Sequence, residues 1–245
     1  MLLLKIKDLT IQVANQVVIK NLNLDIKAGQ VHVMMGPNGS GKSSLVMTLM
    51  GHPDFQVVSG TVDFLNQGLI NLAPYERAKL GLFLAFQYPR AFSGLKVFDF
   101  LKAIYESFTG ISISVNDLDQ KIQIGLELVG LDMSFKQRFV NDGFSGGEQK
   151  RFEILQLWLL QPSLAIIDEI DSGLDVDALK TVGKVLQDCL VRNPHMSIIL
   201  ITHYQRILNY IQSDYVHVLY QGRLIKSAGP ELANQIEQVG YELFF

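Results

Sequence analysis

Gly36-Pro37-Asn38-Gly39-Ser40-Gly41-Lys42-Ser43 fits the spacing G-x-x-x-x-G-K-[ST], and it follows the strand-like run Gln30-Val31-His32-Val33-Met34-Met35. A glycine-rich turn between a strand and a helix lets successive backbone N–H groups converge on phosphate oxygens. No Cβ blocks the approach, and the helix N-terminus carries partial positive charge. Gly36, Pro37, Asn38, Gly39, Ser40, Gly41, Lys42, Ser43 and Ser44 are therefore expected around the phosphates of a nucleotide. Lys42 has the reach for the β- and γ-phosphates, and Ser43 has the hydroxyl for Mg²⁺, which takes few protein ligands and keeps several waters.

A second stretch supplies what the loop lacks. Leu164-Ala165-Ile166-Ile167-Asp168-Glu169 is apolar until it ends in two carboxylates, the pattern of a buried parallel strand with a functional C-terminal edge. Taken alone, a strand end meeting solvated acids is the commoner explanation. Coupled to a phosphate loop, Asp168 suits the metal and Glu169 suits the water that attacks the γ-phosphorus. Ser145-Gly146-Gly147-Glu148 opens another helix, with Ser145 able to accept an early N–H and Glu148 able to answer it; such a helix start also receives anions.

Composition bounds the partners. The 245 residues are 48% apolar, enough for a large core, and net charge is −3, which offers no electrostatic footprint for nucleic acid. No apolar run approaches the ~18 to 20 residues of a membrane span, so direct membrane insertion is not expected. Met1-Leu2-Leu3-Leu4-Lys5 is too short and has no basic lead-in for a signal peptide. The single cysteine, Cys189, allows no internal disulfide and no metal cluster.

The order of elements reads as α/β. Residues 4–7, 9–13, 17–19 and 22–26 alternate as short antiparallel strands, leading into the loop and a helix over 43–51. A strand is expected over 61–65 and another over 82–86. From about 89 to 141 the pattern turns helical, with helices over 97–108 and 116–129, the second capped by Asn116 and Asp117. Then follow helix 146–160, strand 164–167, helix 178–191, strand 197–201, helix 205–212 and strand 215–219.

Set in this order, the motifs resemble those of ATP-binding-cassette (ABC) ATPases. Ser145-Gly146-Gly147-Glu148 is similar to that family's signature motif, Gln87 to its Q-loop glutamine, Ser172-Gly173-Leu174-Asp175 to its D-loop, and His203 to its switch histidine. The resemblance runs across nearly the whole chain. It implies a P-loop NTPase fold of the ABC type: a RecA-like α/β core (1–87 and 146–245), N-terminal antiparallel strands and an inserted helical subdomain (88–145), all in one domain. It also implies Mg²⁺-dependent hydrolysis of ATP between two copies docked head to tail. Ser145, Gly146, Gly147, Glu148 and Asp175 of one copy would then meet the nucleotide held by Lys42 of the other. Gln87 would join Ser43 and Asp168 at the metal, and Lys42, Glu169 and His203 would be the catalytic groups. Where the family stacks adenine on an aromatic ring, this chain has Val13.

Local wording narrows the resemblance. Phe86-Gln87-Tyr88-Pro89, Gly143-Phe144-Ser145-Gly146-Gly147-Glu148-Gln149-Lys150-Arg151 and Thr202-His203-Tyr204-Gln205-Arg206 closely resemble the SufC branch, the ATPases of the SUF iron–sulfur cluster assembly system. That implies the scaffold proteins SufB and SufD as partners, in the cytoplasm or a plastid stroma, with iron and sulfur held by those partners. A detached subunit of a membrane transporter is the alternative. Lys150, on the signature helix, is expected to pair with the Glu169 carboxylate.

Overall fold

The computed structural model describes residues 1–202 and 205–241. Strands β1 (Leu2–Val13) and β2 (Gln16–Lys27) form one long antiparallel hairpin where four short strands were expected. The interruptions are bulges. Asp8 and Asn21 adopt φ of 51°, and Asn23 Oδ1 accepts the Asp8 N–H at 3.0 Å, so a side chain satisfies the kinked backbone and pairing resumes beyond it. Ala14 and Asn15, with φ of 45° and 66°, close the hairpin in the left-handed turn that suits strand twist. β4 (Gln56–Phe64) pairs with the other edge of β1, and β5 (Gln67–Gly68) follows it in the order β2-β1-β4-β5.

The second sheet has six strands in the order β12-β11-β3-β10-β9-β6. β3 (Val31–Met35), β6 (Leu82–Ala85), β9 (Leu164–Asp168), β10 (Ser197–Ile201) and β11 (Tyr215–Tyr220) run parallel, and β12 (Arg223–Ala228) is antiparallel to β11. Alternate residues separate two cores, because successive side chains on a strand point to opposite faces. Val33, Phe83, Ile167 and Leu200 pack on one side with the helices, whereas Met34, Leu84, Ile166 and Ile199 meet the antiparallel sheet and helix α1 (Lys42–Met50) on the other. Both faces are covered, which is why these strands read as continuous apolar runs.

Helices α3 (Val97–Thr109) and α4 (Val115–Val129) form the expected insertion, but a strand pair closes its base: β7 (Phe92–Lys96) and β8 (Phe139–Val140). The α4 cap is Ser114, whose Oγ accepts the Asp117 N–H at 3.1 Å, so Asn116 and Asp117 lie inside the helix they were expected to cap. Helix α5 (Gly146–Leu160) and helix α6 (Val176–Arg192) flank the sheet as expected. The region 205–212 departs: only a 3₁₀ turn, Gln205–Asn209, forms there. Two short helices were not expected, α2 (Pro74–Lys79) and α7 (Glu231–Val239), the second burying Leu232, Ala233 and Ile236 on one face. On α2, buried Arg77 Nη1 donates to the carbonyls of Thr48 (2.6 Å) and Leu49 (2.9 Å), filling acceptors that the end of α1 leaves open.

At the opposite end of β3 from the phosphate loop, His32 Nδ1 lies 2.8 Å from His217 Nε2, with Gln30 Oε1 and Ser227 Oγ as the outer partners. This relay is satisfied by two neutral rings, each carrying its proton on Nε2; a further proton on His32 Nδ1 would set donor against donor. Burial pushes both imidazoles down to about 4, from an ordinary value near 6.5. The folded chain therefore binds fewer protons than the unfolded one between these values. The stability this supplies is complete above pH 6.5 and is lost as pH falls toward 4. Acid titration of the unfolding midpoint should show this slope, and a His32→Gln/His217→Asn variant should flatten it.

Candidate functional site

The C-terminal edges of β3, β6 and β9 bring the functional residues together. After β3 the loop Gly36–Gly41 turns into α1, with φ of 156° at Gly36, 76° at Gly39 and 111° at Gly41. A Cβ on Gly36 would stand 2.1 Å from the Leu219 carbonyl oxygen, so the loop is pressed against β11 and no side chain fits. The turn after β11 locks it further. Gly222 N–H donates to the Ser40 carbonyl, and its own carbonyl accepts the Lys20 N–H, each at 2.8 Å. A cavity of about 460 Å³ opens above the loop, lined by Asn38–Ser44, Val17, Val18, Lys20, Gln221 and Glu169.

Lys42 Nζ donates to the carbonyls of Gly36 (2.7 Å) and Pro37 (3.1 Å), curled back on the loop. Burial holds its ammonium below the usual lysine range, against the pull of the Glu169 and Asp168 carboxylates. Asp168 is 4% exposed, and its Oδ1 has no hydrogen-bond partner. Burial, reinforced by the neighbouring Glu169, raises its carboxyl to about 6, with Lys42 opposing. Glu169 stands just beyond β9 at φ 49°, a left-handed conformation that costs energy in a non-glycine residue. Its Oε2 accepts from Gln87 Nε2 at 2.6 Å across 82 positions of sequence.

Lys150 does go to Glu169, but at the backbone: its Nζ donates to the Glu169 carbonyl at 2.9 Å and to the Ser172 carbonyl, while the carboxylate receives Gln87. A lysine there steadies the strained 169–172 segment. Ser145 and Glu148 form the expected reciprocal cap of α5, with the Glu148 N–H to Ser145 Oγ at 3.2 Å and the Ser145 N–H to Glu148 Oε2 at 2.7 Å. Ser145 and Gly146 are exposed, and none of 145–148 lines the cavity above the loop. Asp175 caps α6, its Oδ1 accepting the Ala178 N–H at 2.7 Å. His203 lies outside the described residues.

The family model described as ABC transporter matches residues 19–172, a span holding the loop, Gln87, the exposed helix tip and the paired carboxylates. The chain belongs to the ABC transporter family. "Probable ATP-dependent transporter ycf16" of Cyanophora paradoxa is 47% identical over 245 residues, 98% of this chain and 93% of that protein. "Probable ATP-dependent transporter SufC" of Escherichia coli is 45% identical, covering 98% of this chain and 97% of that one. Among solved structures, a dimeric post-hydrolysis ATP-binding cassette bound to ADP and Pi matches with a TM-score of 0.79 at 20% identity, over 92% of this chain and 98% of that one, a likeness of fold.

This cassette is an ATPase that binds ATP with Mg²⁺. The residues present fit the metal: the buried Oδ1 of Asp168 has no hydrogen-bond partner, and the Ser43 hydroxyl belongs to the cavity above the loop. No helix is long and apolar enough to cross a membrane among the described residues. Val13 sits at the hairpin end opposite Gln16 and does not line the cavity, whereas Val17 and Val18 do. Sequence reading missed those two valines, Lys20 and Gln221. Gln221 precedes a glycine turn, the one local signal available, but nothing in sequence places that turn against the loop.

Proposed function

We propose that this cassette is the ATPase of a SUF-type iron–sulfur assembly complex, in which two copies close head to tail over ATP and move a SufB–SufD scaffold. The observation that carries the reading is identity of 45% across nearly the full chain to a protein named SufC, together with the wording around Gln87, Ser145 and His203. In this reading the loop N–H groups and Lys42 hold the phosphates, Ser43, Asp168 and Gln87 hold Mg²⁺, and Glu169 orients the attacking water. Bound Mg²⁺ neutralises charge on the β- and γ-phosphate oxygens. Ser145, Gly146, Gly147, Glu148 and Asp175 act on the nucleotide of the opposite copy, in line with an exposed helix tip that does not line the chain's own cavity. His203 completes the set as the γ-phosphate sensor.

Scaffold docking is assigned to the face around Gln87 and the insertion. Phe86, Tyr88, Phe92, Leu95 and Phe139 are exposed there, with Tyr88 at 81%, a density of apolar side chains that marks contact surfaces. Reversing charge across 96–106 should abolish capture of a SufB–SufD pair while leaving ATP binding intact; undiminished capture would overturn the assignment. The names of the relatives favour one other reading, a detached transporter subunit. Recovery of an integral membrane permease in place of soluble scaffold proteins would decide for it.

A further inference from the structure

Helix α5 is buried along most of its surface, yet it carries two chargeable side chains inside, Lys150 at 7% exposure and Glu153 at 5%. Lys150 holds the carbonyls of Glu169 and Ser172. Glu153, the next residue along that face, turns toward another strand end. Its Oε2 accepts the Phe86 N–H at 3.2 Å, and its Oε1 accepts from Gln156 Nε2 at 3.0 Å. Phe86 comes directly after β6, whose Ala85 pairs with Ile167 of β9. Residues 86 and 87 thus leave the sheet beside 168 and 169, and Gln87 Nε2 meets Glu169 Oε2 at 2.6 Å.

A buried carboxyl is a poor choice for packing alone, since its neighbours on α5 are Phe152, Ile154, Leu155 and Leu157, all at 0% exposure, and an apolar residue would fill the same space without desolvating a polar group. What the carboxyl gives that an apolar side chain cannot is an acceptor for one particular N–H, at the root of the segment bearing Gln87. We propose that Glu153 is a positioning residue of the ATPase reaction: by accepting the Phe86 N–H it fixes the peptide that aims Gln87 at Glu169. Because Glu153 and Lys150 share a helix with Ser145 and Gly147, that helix joins the tip facing the opposite nucleotide to both strand ends of the chain's own site. The inference rests on the roles proposed above for Gln87 and Glu169.

The test is a double-mutant cycle on the full chain with saturating Mg-ATP. Glu153→Leu should lower kcat about tenfold with KM for ATP within about twofold, because the reaction geometry loosens while the phosphate loop is untouched. Glu153→Gln, whose amide oxygen can still accept the Phe86 N–H, should keep kcat within about twofold of the native chain. Glu153→Leu/Gln87→Ala should be no slower than Gln87→Ala. Multiplied losses in the double variant, a Glu153→Leu chain as fast as native, or a Glu153→Gln chain as slow as the leucine variant would each overturn the inference. Should Glu153→Leu fail to fold, Glu153→Met enters the same cycle with the same expectations. A Gln87→Ala chain at native speed overturns both this inference and the proposed site; a slow Gln87→Ala beside a fast Glu153→Leu overturns this inference alone.

Discussion

Glu169→Gln should lower ATP turnover by about 10²- to 10⁴-fold, the range for losing a positioned acid–base group, while ATP still binds. The argument is geometric. Glu169 lines the cavity above the phosphate loop, and the amide of a glutamine would preserve its size but not its basicity. The hydrogen bonds of Lys42 go to the Gly36 and Pro37 carbonyls and not to the Glu169 side chain, so affinity should survive. A chain that binds ATP and cannot consume it should accumulate as the closed pair, read as a shift in mass by light scattering with ATP and none with ADP. Turnover within tenfold of native, or a single-chain mass with ATP, would remove Glu169 from the role proposed for it.

Lys42→Ala should weaken ATP binding by about 100-fold or more, the loss of roughly 3 kcal/mol expected when a charge-assisted contact to phosphate is removed. Stability should move the other way or not at all. Burial already disfavours the Lys42 ammonium in the folded chain, and its two hydrogen bonds are to loop carbonyls that can turn to water once the side chain is gone. Calorimetric titration and a thermal melt of the same sample separate the two effects. A large fall in the unfolding midpoint would mean that Lys42 holds the loop together and would undercut its reading as a ligand.

The phosphate loop, the acid-ended strand and the capped helix start were legible because each is a short local pattern whose chemistry depends on neighbours in sequence. Helix α5 was expected at 146–160 and runs Gly146–Leu160, and strands β9 and β10 were placed to within a residue. Four short N-terminal strands were read where two long ones run, because bulges at Asp8 and Asn21 interrupt the alternation that marks a strand, and the Asn23 side chain that satisfies the Asp8 N–H is visible only in the fold. The partnership of Gln87 with Glu169 spans 82 positions and that of Glu153 with Phe86 spans 67, distances at which sequence pattern says nothing. Lys150 was matched to the right residue but the wrong atom, since the left-handed turn at Glu169 presents a carbonyl where a carboxylate was expected. The Asp175 side chain, proposed to act at the nucleotide of the opposite copy, caps α6 within its own chain.

β3, the strand that delivers the phosphate loop, sits between β10 and β11, and the turn after β11 clasps the loop at Ser40. During translation, a chain that has cleared the ribosome only as far as α6 already holds every residue of the loop, but neither strand that flanks it. ATP therefore cannot act as an early folding ligand for a nascent chain that ends at α6. Competence to bind arrives in one step, when roughly the last fifth of the polypeptide docks.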